Sequence, residues 1–185
     1  MDLNELIREC QNGRPGAWEM LVNSYSKKIF NMAYQFTGSY EQAEDATQEI
    51  FIKLFHSLRK FDFDRNFTAW LLTMTKNHLI DDYRRTRRER TQRDDYDEHY
   101  LCAPPAENPE NRLFREEERK KIWEKLDLLS PELRMTLILR DIQGRSYEEI
   151  AGIMSLPLGT AKSRVNRARL QLAGLLRPDQ KGDKA

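Results

Sequence analysis

Lys162, Ser163, Asn166 and Arg167 recur at spacings that keep them on one side of a helix, with Thr160, Arg164 and Arg169 beside them. Side chains of these types offer the hydrogen-bond donors that suit base edges and phosphate oxygens. No carboxylate occurs from Ile150 to Pro178, whereas a merely solvated helix face mixes signs for pairing four residues apart. The cations Lys162, Arg164, Arg167, Arg169 and Arg177 therefore have no local counterion and call for an anionic partner. The frame for them is legible upstream. Ser146 and Glu149 make a capping box that opens a helix with Ile150, Ala151 and Met154 on its inner stripe. Pro157 and Gly159 put a turn at Ser155–Gly159, and a second helix restarts near Thr160 with Ala161, Val165, Ala168 and Leu172 inward. Residues 146–169 thus have the pattern of a helix-turn-helix that reads DNA. The plainer alternative, an amphipathic surface helix, leaves the missing carboxylates unexplained.

Two further constellations lie in the first half. Glu41, Glu44, Asp45, Gln48 and Glu49 place acids and an amide at three- and four-residue offsets on one helix, a patch suited to a basic protein surface. A solvated acidic face is the alternative, since Ala43, Ala46 and Ile50 already account for the inner side. Phe61, Phe63, Phe67 and Trp70 then stand close to the basic run Arg84–Arg93. Aromatics beside cations suit unpaired bases whose phosphates are held alongside. Taken singly, Phe67 and Trp70 read more readily as core, because large aromatics bury most of their area. Asn77 carries an amide that can read a base edge. Arg84 and Arg85 are expected to hold phosphate, and Asp81 to pair with a nearby arginine.

The elements that must position these groups are helices. Charged residues make up 33% of the 185 and long β-branched alternations are missing, which favours an all-α protein. Gly13 closes a first helix over 2–12, and a longer one follows with Ala17, Leu21, Tyr25, Ile29, Met32 and Phe36 in one stripe, ended by Gly38. Ser39 and Gln42 make another capping box before a helix with Ala43, Ala46, Ile50, Leu54 and Leu58 inside. A fourth helix runs from about Phe67 to Arg90. Residues 1–90 are then a four-helix bundle, 91–108 a linker, 109–177 a second helical domain, and 178–185 a disordered tail. In the second domain Asn108-Pro109 caps a helix carrying Leu113, Ile122 and Leu126 inward, and Ser130-Pro131-Glu132 caps the next, with Leu133, Leu137 and Ile138 inside.

The net charge of +1 says little, but acids gather in 41–49 and 107–118 and cations in 84–93 and 162–177, so separate acidic and basic surfaces are expected. No stretch approaches the ~20 apolar residues that span a bilayer, and no basic-then-apolar leader opens the chain, so a soluble, intracellular protein without membrane insertion is expected. Cys10 and Cys102 have no CxxC spacing, and His56, His78 and His99 stand at no metal-ligand spacing. No disulfide, zinc or other cofactor is expected, and the histidines are assigned to packing and solvation.

The two halves together resemble bacterial RNA polymerase sigma factors of the extracytoplasmic-function group (sigma-70 family, group IV), which keep only the sigma-2 and sigma-4 domains. The motifs are Glu44-Asp-Ala-Thr-Gln-Glu-Ile-Phe51, Phe67-Thr-Ala-Trp-Leu71, Asn77-His-Leu-Ile-Asp81 and Tyr83-Arg84-Arg85, then Leu129-Ser-Pro-Glu-Leu133, Ser146-Tyr-Glu-Glu-Ile-Ala151 and Gly159-Thr-Ala-Lys-Ser-Arg164. The resemblance covers about residues 5–176. It implies a non-enzymatic promoter-specificity subunit whose partners are core polymerase (the β′ clamp and the β flap), promoter DNA and an anti-sigma factor. It implies polymerase docking through Glu41, Glu44, Asp45, Gln48 and Glu49, with Asp45, Gln48 and Glu49 at the centre. It assigns −10 binding and melting to Phe63, Arg65, Asn66, Phe67, Trp70, Asn77, Arg84 and Arg85, and −35 reading to Thr160, Lys162, Ser163, Arg164, Asn166 and Arg167. The competing readings are a helix-turn-helix activator or repressor with a sensory or dimerising N-terminal bundle, and, more remotely, a nuclease using Asp62, Asp64, Asp81 and Asp82 around Mg²⁺.

Overall fold

The computed structural model describes residues 2–93 and 122–177, and every regular element among them is helical. Expectations for His99, Cys102, the Asn108-Pro109 cap, Leu113, most of the linker and the 178–185 tail lie outside the described residues. The chain divides into two compact units, one built around residues 2–93 and the other around 122–177.

In the first unit α1 (Leu3–Gln11), α2 (Ala17–Thr37), α3 (Tyr40–Ser57) and α4 (Phe67–Arg93) pack around one stripe of α2. Ala17, Leu21, Tyr25, Ile29, Met32 and Phe36 are all buried, as their three- and four-residue spacing predicts. Facing them are Ile7 of α1, Ala43, Ala46, Ile50 and Leu54 of α3, and Leu71 and Leu72 of α4, also buried. Each fully buried Leu or Ile contributes about 1.5–3 kcal/mol relative to exposure. Two aromatic contacts set how α4 lies on α2: Tyr25 meets Phe67 edge-on at 5.3 Å, and Phe36 meets Tyr83 at 6.1 Å. Gly38 ends α2 in the left-handed region (φ 72°), its N–H donating to the Tyr34 carbonyl at 2.9 Å.

Two local expectations change here. The Ser39 box is only half formed: the Gln42 N–H donates to Ser39 Oγ (3.4 Å), but the Ser39 N–H donates to Thr37 Oγ1 (3.3 Å), which leaves the Gln42 side chain no partner role at the cap. Helix α4 also continues to Arg93, three residues into the stretch assigned to the linker, because nothing between Arg90 and Arg93 breaks a helix.

In the second unit a helical segment at 122–127 is followed by α5 (Pro131–Leu137), a π-helical turn (Ile138–Ile142), α6 (Tyr147–Met154) and α7 (Leu158–Leu176). Leu126, Leu129, Leu133, Leu137 and Ala168 form its core, with Trp123, Leu172 and Leu175 packed against it. Ile122 does not join them; it is 46% exposed, and Trp123 supplies the inward contact instead. Arg134 is buried and satisfied: its Nε donates to the Leu126 carbonyl (3.1 Å) and its guanidinium pairs with Asp127 (2.6 Å). The Ser130 cap forms as expected, Oγ accepting from the Leu133 N–H at 3.4 Å.

The capping box of α6 is complete, Glu149 N–H donating to Ser146 Oγ (3.1 Å) and Ser146 N–H to the Glu149 carboxylate (2.9 Å). The turn that follows is shorter than expected. Ser155, not Gly159, takes the left-handed conformation (φ 55°), and α7 starts at Leu158 with Pro157 as its cap residue, so Gly159 already lies in its first turn. Ser146→Ala is therefore expected to lower stability by about 1 kcal/mol. Gly159→Ala, where a Cβ meets nothing within 4 Å, is expected to raise it by about 0.4–1 kcal/mol. Urea unfolding of the full chain measures both, and a destabilised Gly159→Ala variant would put the turn back at that residue.

Candidate nucleic-acid interface

The acidic residues of α3 stand as the spacing requires. Glu41, Glu44, Asp45, Gln48 and Glu49 are all exposed, on the side opposite Ala43, Ala46 and Ile50. The stripe is not purely acidic. Ile52 (58% exposed) and Phe55 (60% exposed) continue it, and the Phe55 ring leans on Trp18 of α2 at 5.2 Å. Position 52 follows Gln48 by four and Glu49 by three, so its outward placement was readable from the spacing.

The aromatic loop folds into a cluster. Phe61 contacts Phe63 (5.4 Å), Phe67 (5.3 Å) and Trp70 (5.1 Å), and Gln11 of α1 donates from Nε2 to the Leu58 carbonyl at the loop entrance (2.9 Å). Phe67 is only 2% exposed, between Tyr25 and Phe61, so its assignment to DNA binding is corrected: this ring is core and has no face for a base. Trp70 and Phe63 are half-buried, and the Arg8 guanidinium sits 5.0 Å over the Phe63 ring. Asn66 is exposed and caps α4, its Oδ1 accepting from the Ala69 N–H (2.9 Å). Arg65 pairs with Asp62 (3.5 Å) at the surface.

Beside the loop a groove of about 290 Å³ opens between α3 and α4, lined by Trp70 and Asn77 together with Lys53, Thr73, His78 and Asp81. Asn77 is exposed at this groove, with its Oδ1 accepting from Lys76 Nζ. Farther along α4, Asp81, Arg84, Arg85 and Arg88 surround a second depression. Arg84 lies 3.9 Å from Asp81, the pairing expected for that aspartate, and Arg85 lies 2.5 Å from Asp82. Both pairs are exposed, and such pairs contribute only about 0–1 kcal/mol, little barrier to exchange for a phosphate. Among the described residues no group of three or more His, Cys, Asp or Glu could hold a metal ion, so the four aspartates of the nuclease reading are not gathered.

On α7, Thr160, Lys162, Ser163, Asn166 and Arg167 are exposed and Arg164 is half-buried, while Ala161, Val165 and Ala168 are fully inside. Ser163 Oγ donates back to the Thr160 carbonyl (3.0 Å), which leaves its lone pairs outward. Lys162 Nζ lies 5.8 Å from the centre of the Tyr147 ring, which Arg140 also approaches, at 4.4 Å. One cation is not what the sequence suggested. Arg169 pairs with Asp141 of the π turn through two hydrogen bonds, so its counterion comes from 28 residues upstream. Among the described residues no carboxylate pairs with Lys162, Arg164 or Arg167.

The two parts of the chain match known families in the same order. The Sigma-70 region 2 family model matches residues 21–89, and the Sigma-70, region 4 model matches residues 119–172. The chain is 33% identical over 180 residues to the RNA polymerase sigma-H factor of Pseudomonas aeruginosa, an alignment covering 94% of this chain and 93% of that one. It is 36% identical over 164 residues to the ECF RNA polymerase sigma factor SigE of Mycolicibacterium smegmatis, covering 86% of this chain and 62% of that longer protein. The chain belongs to the extracytoplasmic-function sigma factors. Two solved structures share its fold: the sigma factor RpoE of Bartonella quintana in complex with the anti-sigma factor NepR (TM-score 0.67, 26% identity, 89% of this chain and 99% of that one), and CnrH in complex with the cytosolic domain of CnrY (TM-score 0.67, 26% identity, 95% and 97%). Membership makes the protein a promoter-specificity subunit of transcription initiation, and sigma factors are non-enzymatic; the ligand-sensing regulator is not favoured.

One residue of this sigma factor has a role the sequence did not reveal. His78, assigned to packing, is buried against α3 with Nδ1 2.7 Å from Lys53 Nζ and Nε2 3.7 Å from Glu49. Burial holds its imidazole below the ordinary value and Lys53 adds to that, against the opposite pull of Glu49 and Asp82. The folded chain thus refuses a proton that the unfolded chain accepts near pH ~6.5. Stability is expected to be complete above that pH and to fall as pH drops below about 6.5 toward the folded value. Urea unfolding across this window should show the slope in the natural protein and not in His78→Asn; equal slopes would refute it.

Proposed function

We propose that the exposed stripe of α3 docks on the β′ clamp of core polymerase, that the groove beside Asn77 takes the open −10 strand, and that α7 reads the −35 element in duplex DNA. The observation that carries the reading is the adjacency of the first two surfaces. The acidic stripe and the groove occupy neighbouring helices of one rigid core, so docking sets the position of the strand-binding residues. Ile52 and Phe55 give the acidic patch an exposed apolar end of the kind that anchors interfaces.

In the groove, Trp70 presents part of its ring for stacking and Asn77 a paired donor and acceptor, and farther along α4 Arg84 and Arg85 offer phosphate contacts. Phe63, Arg65 and Asn66 frame the loop side. Unstacking a base costs a few kcal/mol, which stacking of about 1–3 kcal/mol per base and the phosphate contacts offset without ATP. On α7, Ser163, Asn166 and Arg167 face base edges, Thr160 and the helix N-terminus meet backbone phosphate, and Lys162 and Arg164 flank them. Lys162 lacks the guanidinium fork, so its contact is a point charge.

The second unit also approaches the β flap, and an anti-sigma factor, like those bound by the two solved relatives, holds the protein inactive. No helix among the described residues is long and apolar enough to cross a membrane, which fits work in the cytoplasm. Transcription in vitro with core polymerase on a random promoter pool tests the whole reading: enrichment of paired −35 and −10 elements is expected, and no promoter-dependent transcript refutes it.

Glu41→Lys with Asp45→Lys is expected to weaken binding to core polymerase roughly tenfold or more while the fold is unchanged. Glu49 is left in place in that variant because its carboxylate faces His78. Undiminished binding in a pull-down or by fluorescence anisotropy would remove α3 from the interface. Arg167→Ala should cost about 1–3 kcal/mol of discrimination at one −35 position if it makes a bidentate base contact. An equal loss on all sequences would make it a phosphate contact.

A further inference from the structure

Lys53 is the sole Lys or Arg of α3, and its ammonium turns away from the acidic stripe toward α4. It meets His78, whose side chain is 5% exposed. An ammonium has hydrogens to donate and no lone pair, so Nδ1 of His78 is the acceptor. The ring proton is thereby placed on Nε2, facing Glu49 at 3.7 Å. The order is set by chemistry: Lys53 donates to the ring, and the ring N–H points at the carboxylate. Lys53 and His78 both line the groove that holds Trp70 and Asn77.

We propose that His78 is a positioning residue: neutral and buried between α3 and α4, it holds the Lys53 ammonium in the groove, where Lys53 meets an oxygen of the DNA strand, phosphate or base carbonyl. Lys53 thereby becomes a further strand-binding residue. The inference rests on the groove being the −10 site. A free lysine side chain samples many rotamers, whereas one with a buried acceptor is pre-set before the strand arrives.

Protonation undoes the device, because the lone pair that Lys53 uses is lost and two cations are left in contact. The charged groups facing the ring are Lys53 and Glu49 from α3 and Asp82 and Arg85 from α4. Burial, Lys53 and Arg85 oppose protonation, while Glu49 and Asp82 favour it. The ring is therefore neutral in the working range, and strand capture weakens on acidification.

The test uses the full chain with core polymerase, and opening is read from 2-aminopurine placed at −10. His78→Asn keeps an acceptor at the Nδ1 position and cannot titrate; His78→Leu and Lys53→Met each remove one half of the pair. At neutral pH, His78→Asn should open within about twofold of the natural protein, while His78→Leu and Lys53→Met should each lose about tenfold, the size of one charge-assisted hydrogen bond. The double variant should lose no more than Lys53→Met alone. As pH falls below about 6.5 toward the lowered folded-state value, the natural protein should lose opening relative to His78→Asn. Additive losses, or identical pH profiles for those two proteins, overturn the proposal. Melting temperatures screen each variant for folding, and the His78→Asn comparison stands even where His78→Leu fails to fold. Nitrogen-15 NMR of the free full-length chain reads the tautomer directly, and an Nδ1–H ring at neutral pH sinks the proposal whatever transcription shows. A chain with the expected tautomer that opens no promoter overturns the assignment of the groove itself.

Discussion

Burial of one stripe of α2 is the constraint on which the N-terminal unit depends. Ala17, Leu21, Tyr25, Ile29, Met32 and Phe36 present a single apolar surface, and α1, α3 and α4 all pack on it. A helix has only one face to bury in such a bundle, so committing Ala43, Ala46, Ile50 and Leu54 to α2 leaves Glu41, Asp45 and Gln48 no choice but solvent. The same logic turns Leu71, Leu72 and Ile80 of α4 inward and leaves Asn77 and Arg84 outside. The functional surfaces are the complement of the core, and their mutual position is as rigid as the packing that defines it.

That rigidity suits the roles proposed for these surfaces, an acidic stripe that docks on protein and a groove that takes a DNA strand. The α3–α4 seam is where the two meet, and it is not wholly apolar. Lys53, His78 and Glu49 form a polar chain across it, with His78 buried in its middle. A buried polar group is tolerated only with its hydrogen bonds made, and here the bond is to Lys53 of the groove, while the Glu49 carboxylate of the acidic stripe faces the other ring nitrogen at 3.7 Å. In the second unit Arg134 does a comparable structural job, tying the 122–127 helical segment to α5 through Leu126 and Asp127.

Much of the site was legible because it depends on local chemistry. Ser146 and Glu149 cap each other across three residues, and the periodic small residues Ala161, Val165 and Ala168 specify the inner side of α7, so the outer donors follow. Two of the misses depend on a distant element and one on the turn itself. Arg169 read as an unpaired cation because its partner, Asp141, lies 28 residues away on the π turn. The left-handed residue of the turn is Ser155 rather than Gly159, since Pro157 keeps the residue before it out of helical backbone and α7, starting at Leu158, then takes in the glycine. Phe67 and Trp70 have similar local surroundings, yet Tyr25 of α2 covers one and the groove uncovers the other.

By itself the sequence determined that the chain is helical, where most helices start and stop, which stripe of each is apolar, and the order of motifs that marks an extracytoplasmic-function sigma factor. Those are consequences of bonds and spacings within about a turn or two of helix. Only the tertiary structure decided which aromatic is core, which arginine is already neutralised, that Ile52 is exposed beside the acids of α3, and that His78 lies between Lys53 and Glu49. Each of those depends on what a neighbouring helix brings to the same point in space, and periodicity along one helix carries no information about its neighbour's register.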